Sequence, residues 1–235
     1  NAATTSANMV VNNGFLSMQD LFVGQNGGAN MIINGGNFMI ADDLRLSNNA
    51  SSTTDFIMND GNIQVLDVFI SDGDDHVNFW FNGGFITVGE DFDISKTANS
   101  SSHIFINGGN IVVADEIRLS DNDNSTSNLI MTNGIISFDY FSLGDEGFAT
   151  MELSGGHLYG TNEFNIAKNN TESQGNLIMS GGNIDVNNFL LGRRELGYME
   201  LTGGNITARN NITLGDSATA YGELLFNGGY INGID

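Results

Sequence analysis

Cysteine and proline are both missing from this 235-residue chain, and Lys plus Arg total only seven against 28 acidic residues. Without cysteine there is no disulfide framework to hold a small core or to report on redox compartment. Without proline, no position is barred from donating its backbone N–H, which suits a chain committed almost wholly to sheet ladders. The formal charge of −21 excludes nucleic acid as a partner, because phosphate binding needs a basic surface. No run of 18 or more apolar residues occurs, so no membrane span is expected. Strong helix formers are sparse while Gly (31) and Asn are abundant, which argues against helices. The chain starts at Asn1 with no charged-plus-apolar leader, and the expectation is a secreted protein, extracellular or cell-surface, with its signal peptide removed.

What the chain has in quantity is one sentence, repeated. A glycine recurs at Gly14, Gly36, Gly61, Gly84, Gly109, Gly134, Gly156, Gly182, Gly204 and Gly229, at spacings of 22 to 26 residues. That period fits a solenoid coil of about 24 residues with three short strands. Before each glycine stands a triplet such as Ile104-Phe105-Ile106 or Met151-Glu152-Leu153, whose outer members stay apolar while the middle one tolerates Glu. The outer two therefore point inward and the middle one outward. After the glycine, Ile63 and Val65, or Ile111 and Val113, repeat the period of two. A third run, Leu44-Arg45-Leu46 or Ile117-Arg118-Leu119, has a polar centre that is expected to face solvent. The residue before each glycine is only Gly, Asn or Asp, so this corner is expected to be a tight turn with positive φ at that pair. One place earlier, Asn12, Asn34, Asn59, Asn82 and Asn107 begin a polar column able to hydrogen-bond from coil to coil.

The expected fold is all-β: one domain over residues 1–235, a single-stranded parallel β-helix of about ten coils, with residues 1–8 a loop and the last coil incomplete. Across residues 9–235 the "GG.I.V...L.I" coils resemble the parallel β-helix repeats of secreted bacterial proteins of the adhesin and autotransporter-passenger type. That resemblance implies a right-handed helix, a structural or adhesive role and no particular chemistry, since β-helices also host polysaccharide lyases and ice binders.

An enzyme needs converging acids, bases and cations. His76, His103 and His157 lie in different coils and columns, and no nucleophile–base pattern emerges, so no catalytic residue and no enzymatic activity are expected. Asp93 beside Arg118 on adjacent third strands reads as an ion pair across the ladder. An acidic column, Asp20, Asp43, Asp67, Asp91 and Glu116, must be offset by turn hydrogen bonds, salt or cations. Clustered carboxylates at Asp72, Asp74, Asp121 and Asp123 are candidates for Ca2+, although they lack a full EF-hand pattern, and no cofactor is expected. Polar loops at the third corner carry the sequons at Asn49, Asn99, Asn124 and Asn169, candidate glycosylation sites.

Two surfaces point to partners. The outward column of the first strand reads Val10, Ile32, Ile57, Trp80, Phe105 and Ile130, then continues through Glu152, Ile178, Glu200 and Leu225. A stripe of that kind marks a lateral interface or, around Trp80 and Phe105, a platform for surface glycans. Phe22 and Phe69 add outward apolar residues on the third strand. The terminal coils offer Met9, Val10, Val11, Phe15, Leu225, Tyr230 and Ile231 as an end-to-end interface, and a contact of that kind builds a head-to-tail homopolymer. The expected function is thus an extracellular structural protein, a self-assembling subunit of a filament, sheath or adhesive layer; the alternative is a carbohydrate-binding or lyase-like β-helix.

Overall fold

The computed structural model describes residues 6–48, 53–73, 76–169 and 173–233. Every strand pairing among them is parallel and joins one coil to the next. Ten first strands, from Ala7–Val11 through His76–Phe81 to Tyr221–Phe226, form one sheet in chain order. The second and third strands form the other sheet. The molecule is a parallel β-solenoid, and among the described residues no helix is long and apolar enough to cross a membrane. The first strand begins at Ala7, so Ala7 and Asn8 belong to the ladder and not to a leading loop.

Alternation along each strand sets the core. In His76–Phe81, Val77, Phe79 and Phe81 are fully buried while His76, Asn78 and Trp80 are half-buried on the outside. Stacked register then aligns like with like, so Phe56 lies on Phe79 with ring centroids 5.2 Å apart, and Phe141, Phe164 and Phe189 form an internal pile at 4.7 and 5.5 Å. In coils 1 to 5 the second and third strands are separate; in coils 6 to 9 they fuse into single bent strands such as Ile135–Leu143 and His157–Ile166, with register shifts at the bend. Three short strands per coil thus hold for only half of the solenoid.

At the first corner, positive φ falls on the second member of the pair and not on the Gly, Asn or Asp before it. All ten glycines from Gly14 to Gly229 are left-handed, with φ between +73° and +122°. At Gly84 a Cβ would also lie 2.5 Å from the Gly61 carbonyl of the coil below. The first member is restricted for another reason. A Cβ at Gly155 would come within 2.2 Å of the Thr132 carbonyl, whereas Asn13 and Asp60 each turn the side chain to accept the following glycine N–H at 2.8 Å.

The polar column beside this corner is a continuous ladder. Asn34 Nδ2 donates to Asn12 Oδ1 at 2.8 Å, Asn59 to Asn34 at 2.8 Å, Asn82 to Asn59 and Asn107 to Asn82 at 2.9 Å, and Thr132 Oγ1 closes it on Asn107 at 3.1 Å. Beyond that, Ser154 and Thr202 turn to backbone carbonyls instead. Asn82→Ala removes two of these bonds at an exposed edge and is expected to cost about 1 kcal/mol. Thermal unfolding checks it, and an unchanged transition would mean that the ladder follows the fold without supporting it.

A second left-handed column closes the third strand: Gly24, Ser47, Ser71, Ser95, Ser120, Gly144, Ala167, Gly192 and Gly215. Its serines are fully buried, and three hydroxyls donate forward to the first strand two coils on: Ser71 Oγ to the Ser101 carbonyl at 2.8 Å, Ser95 Oγ to the Thr126 carbonyl at 2.8 Å and Ser120 Oγ to the Phe148 carbonyl at 2.7 Å. These bonds offset the cost of a left-handed non-glycine residue, about 1 kcal/mol each.

Candidate functional site: an apolar outer stripe and a charged edge

Two of the surfaces of the coil bring together side chains that stand outside the core. The first is the outer face of the ten-stranded sheet. Register places Val10, Ile32, Ile57, Trp80, Phe105, Ile130, Glu152, Ile178, Glu200 and Leu225 in one unbroken column. Trp80 and Phe105 stack at 5.6 Å with planes 8° apart. Their ring faces therefore cover each other and leave less aromatic face free for stacking on a sugar ring. Beside the stripe runs a column of short polar groups, Asn30, Asp55, Asn78, His103 and Asn128, in which Asn78 Nδ2 donates to Asp55 Oδ1 at 2.9 Å. His76 and His103 are diagonal neighbours meeting edge to face at 4.9 Å; His76 also contacts Ser101 Oγ at 2.8 Å and Asn78 Oδ1 at 3.1 Å. Burial and the proximity of His76 hold His103 below the usual imidazole value. Thr126, Thr150, His103 and Phe148 line a shallow cleft on this face.

The second surface is the third-strand edge, where the centres of the strands are covered and do not face solvent as the sequence suggests. Asp93, Ser142 and Asn165 are fully buried, and Phe69 is only 8% exposed. The cover comes from long cationic side chains laid over the strand. Arg45 lies over one side of the Phe69 ring at 4.2 Å and Lys96 at 4.1 Å, so Phe69 offers no apolar surface, unlike the exposed Phe22. Lys96 and Arg118 both pair with Asp93; Arg118 also reaches Asp91, Glu116 at 3.4 Å and Asp121 at 4.0 Å. Lys168 pairs with Glu116 and reaches Asp145 at 3.5 Å, and Arg193 joins Glu163 at 3.1 Å. Five of the seven basic residues are thus threaded along one edge. The ion pair of Asp93 with Arg118 exists, but within a buried network and not on the open surface.

This network, with backbone amides, resolves the repulsion of the acidic column. Asp67 Oδ1 accepts the N–H of Asp91 at 2.9 Å, and Asp91 Oδ1 that of Glu116 at 3.3 Å. Burial raises Asp91, whereas for Glu116 the opposing hydrogen bonds from Lys168 and Ser142 outweigh burial and hold it low. Burial works against the Arg118 charge, but Asp93, Asp91, Asp121 and Glu116 together keep it firmly protonated. In this network the acids Asp91, Asp93, Glu116, Asp121, Asp145 and Glu163 outnumber the cations Lys96, Arg118, Lys168 and Arg193 by two. Burial and the adjacent Asp93 push Asp121 up to about 8, and burial raises Asp145, which is hydrogen-bonded to it.

The carboxylates read as calcium candidates are spread apart. Asp72 is a partner of Arg45, Asp121 belongs to the network above, and the Asp123 N–H is held by Asn122 Oδ1 at 2.9 Å; Asp74 lies outside the described residues. Among the described residues no three His, Asp or Glu side chains are grouped to hold a metal ion. Of the sequons, Asn99 and Asn124 sit exposed at loop tips with φ of 64° and 57°, while the Asn169 amide nitrogen donates to Asp145 Oδ1 at 2.8 Å; Asn49 lies outside the described residues. The terminal-strand residues Met9, Val10, Phe15, Leu225 and Tyr230 are exposed, Ile231 is half-buried and Val11 is buried. The buried serine column escaped the sequence reading. Its signal is the invariant small residue that follows every third strand, in "RLS", "FIS", "DIS", "SLG" and "NIA".

These features define the chain as a parallel β-solenoid with one apolar outer stripe and one ion-paired edge. Comparison with known proteins finds no matching family model, no similar curated protein and no similar solved structure.

Proposed function

We propose that the chain works outside the cell as a structural element, a rigid β-solenoid subunit of a filament, sheath or adhesive surface layer that meets its neighbours without turning over a substrate. The observation that supports this reading is the unbroken apolar column of the first six coils on the outer side of the ten-stranded sheet, set in a protein that is otherwise strongly acidic. Contiguous apolar surface of this kind is kept by contact with another macromolecule. Copies added along the solenoid axis would continue the same parallel ladder by backbone pairing. Electron microscopy of the purified protein at high concentration tests this. The expected result is ordered assemblies with an axial repeat of roughly 50 Å, about ten coils of ~4.8 Å. Dispersed particles that cleave or tightly bind a polysaccharide would overturn it.

A further inference from the structure

The outer face of the first sheet is electrostatically divided. None of its ten strands contains Lys or Arg, and of its four acids only Asp55 lies in coils 1 to 6; Glu152, Glu200 and Glu223 all lie in coils 7 to 10. The apolar column has the same boundary, continuous from Val10 to Ile130 and interrupted by Glu beyond it. A basic partner would be drawn to the second half. The first half fits a surface equally apolar and uncharged, and a second copy of the chain supplies one.

We propose that coils 1 to 6 of this face bind a second copy face to face, the two solenoids antiparallel about a two-fold axis that runs along the strand direction between coils 3 and 4. This operation leaves each column facing itself and exchanges coil 1 with 6, 2 with 5 and 3 with 4. Ile57 then meets Trp80 of the other copy, Ile32 meets Phe105, Val10 meets Ile130, and Asp55 meets Asn78. The acidic halves project beyond the contact at opposite ends. The alternative two-fold, with the solenoids parallel, sets Glu152, Glu200 and Glu223 level with their own counterparts, which costs repulsion in coils 7, 9 and 10. Six strands at ~4.8 Å by about 20 Å of strand length give roughly 600 Å² per copy, about 1,200 Å² in all, enough for a specific if modest interface. An isologous contact closes on itself, so it adds a lateral pair and leaves axial assembly open.

The proposal rests on reading this face as an interface, and two measurements separate its failure from failure of the structural role. The chain has no cysteine, so Ile178→Cys carries a unique spin label in coil 8, four and a half coils from the axis. Antiparallel packing places the two labels about 44 Å apart, from nine coils of ~4.8 Å and sheets ~10 Å apart, whereas parallel packing places them about 10 Å apart. Sedimentation is expected to show a dimer of the 25.1 kDa chain that Trp80→Glu dissociates and Ile178→Glu does not, with circular dichroism confirming that each variant is folded. A monomer at tens of micromolar, or the short label distance, overturns the antiparallel dimer even if assemblies are seen by microscopy. The long distance in a chain that forms no larger assembly would keep the dimer and count against the layer or filament.

Discussion

Phe164→Ala is expected to lower the unfolding free energy by about 3–5 kcal/mol, the largest loss of any single truncation in the core. Phe164 is fully buried between Phe141 and Phe189, its ring parallel to both, and Phe138 leans on it at 6.4 Å. Each neighbour is fixed by backbone pairing to its own coil at the ladder spacing, so the walls cannot close on the space the ring leaves. Solenoid stability is transmitted between adjacent coils, and the damage should concentrate in coils 6 to 8. Urea unfolding measures the total, and hydrogen exchange along the coils locates it. Phe164→Leu should recover more than half of the loss. Phe85→Ala, on an aromatic 55% exposed, should change stability by less than about 1 kcal/mol. Equal effects at positions 164 and 85 would mean that the internal stack adds nothing beyond surface packing.

The contrast between those two phenylalanines was already readable in the sequence, because a period of two separates inward from outward positions once the coil length is known. Phe164 precedes Asn165 and Ile166 in the third run, and Phe85 sits directly after its corner glycine. The same logic placed every member of the column from Val10 to Leu225 next to its true neighbour, and the Asn12 to Asn107 ladder needed only the repeat and the hydrogen-bonding capacity of an amide.

Periodicity failed where a side chain leaves the perpendicular of its own strand. Arg45, Lys96, Arg118 and Lys168 are long enough to lie over a neighbouring coil, so they bury Phe69 and Asp93 at positions that alternation assigns to solvent. The left-handed serines were missed for a similar reason. Ser is no strong signal for positive φ, and only the partners two coils on, such as Ser101 and Thr126, offset the cost of the conformation. The fused strands of coils 6 to 9 likewise depend on how sharply the corner bends between Phe138 and Tyr140, which no residue count records. Local pattern therefore determined the ladder, and contacts between coils determined its edge.

That edge yields the second large effect, and its sign follows from protonation. Asp121 is raised from 3.8 to about 8 in the folded chain, chiefly by burial and next by Asp93. Below pH ~4 folded and unfolded states both hold the proton and the residue is neutral to stability. Between pH ~4 and ~8 the unfolded chain releases the proton while the folded chain keeps it, so the unfolded state binds fewer protons and stability falls as pH rises. At ~1.4 kcal/mol per pH unit the penalty has a ceiling near 6 kcal/mol. Asp145, hydrogen-bonded to Asp121 and also raised, retains part of it when its neighbour is changed. Asp121→Asn keeps the shape, needs no proton and leaves Arg118 its contacts with Asp91, Asp93 and Glu116. The variant is expected to be more stable than the parent by about 3 kcal/mol at pH 8, and equal to it within about 0.5 kcal/mol at pH 4. Thermal unfolding across that range should give a parent that weakens towards alkaline pH and a variant with a flatter profile. A variant less stable at pH 8 would mean that Asp121 is ionised there and bound to Arg118, and that the edge is balanced by ion pairs alone.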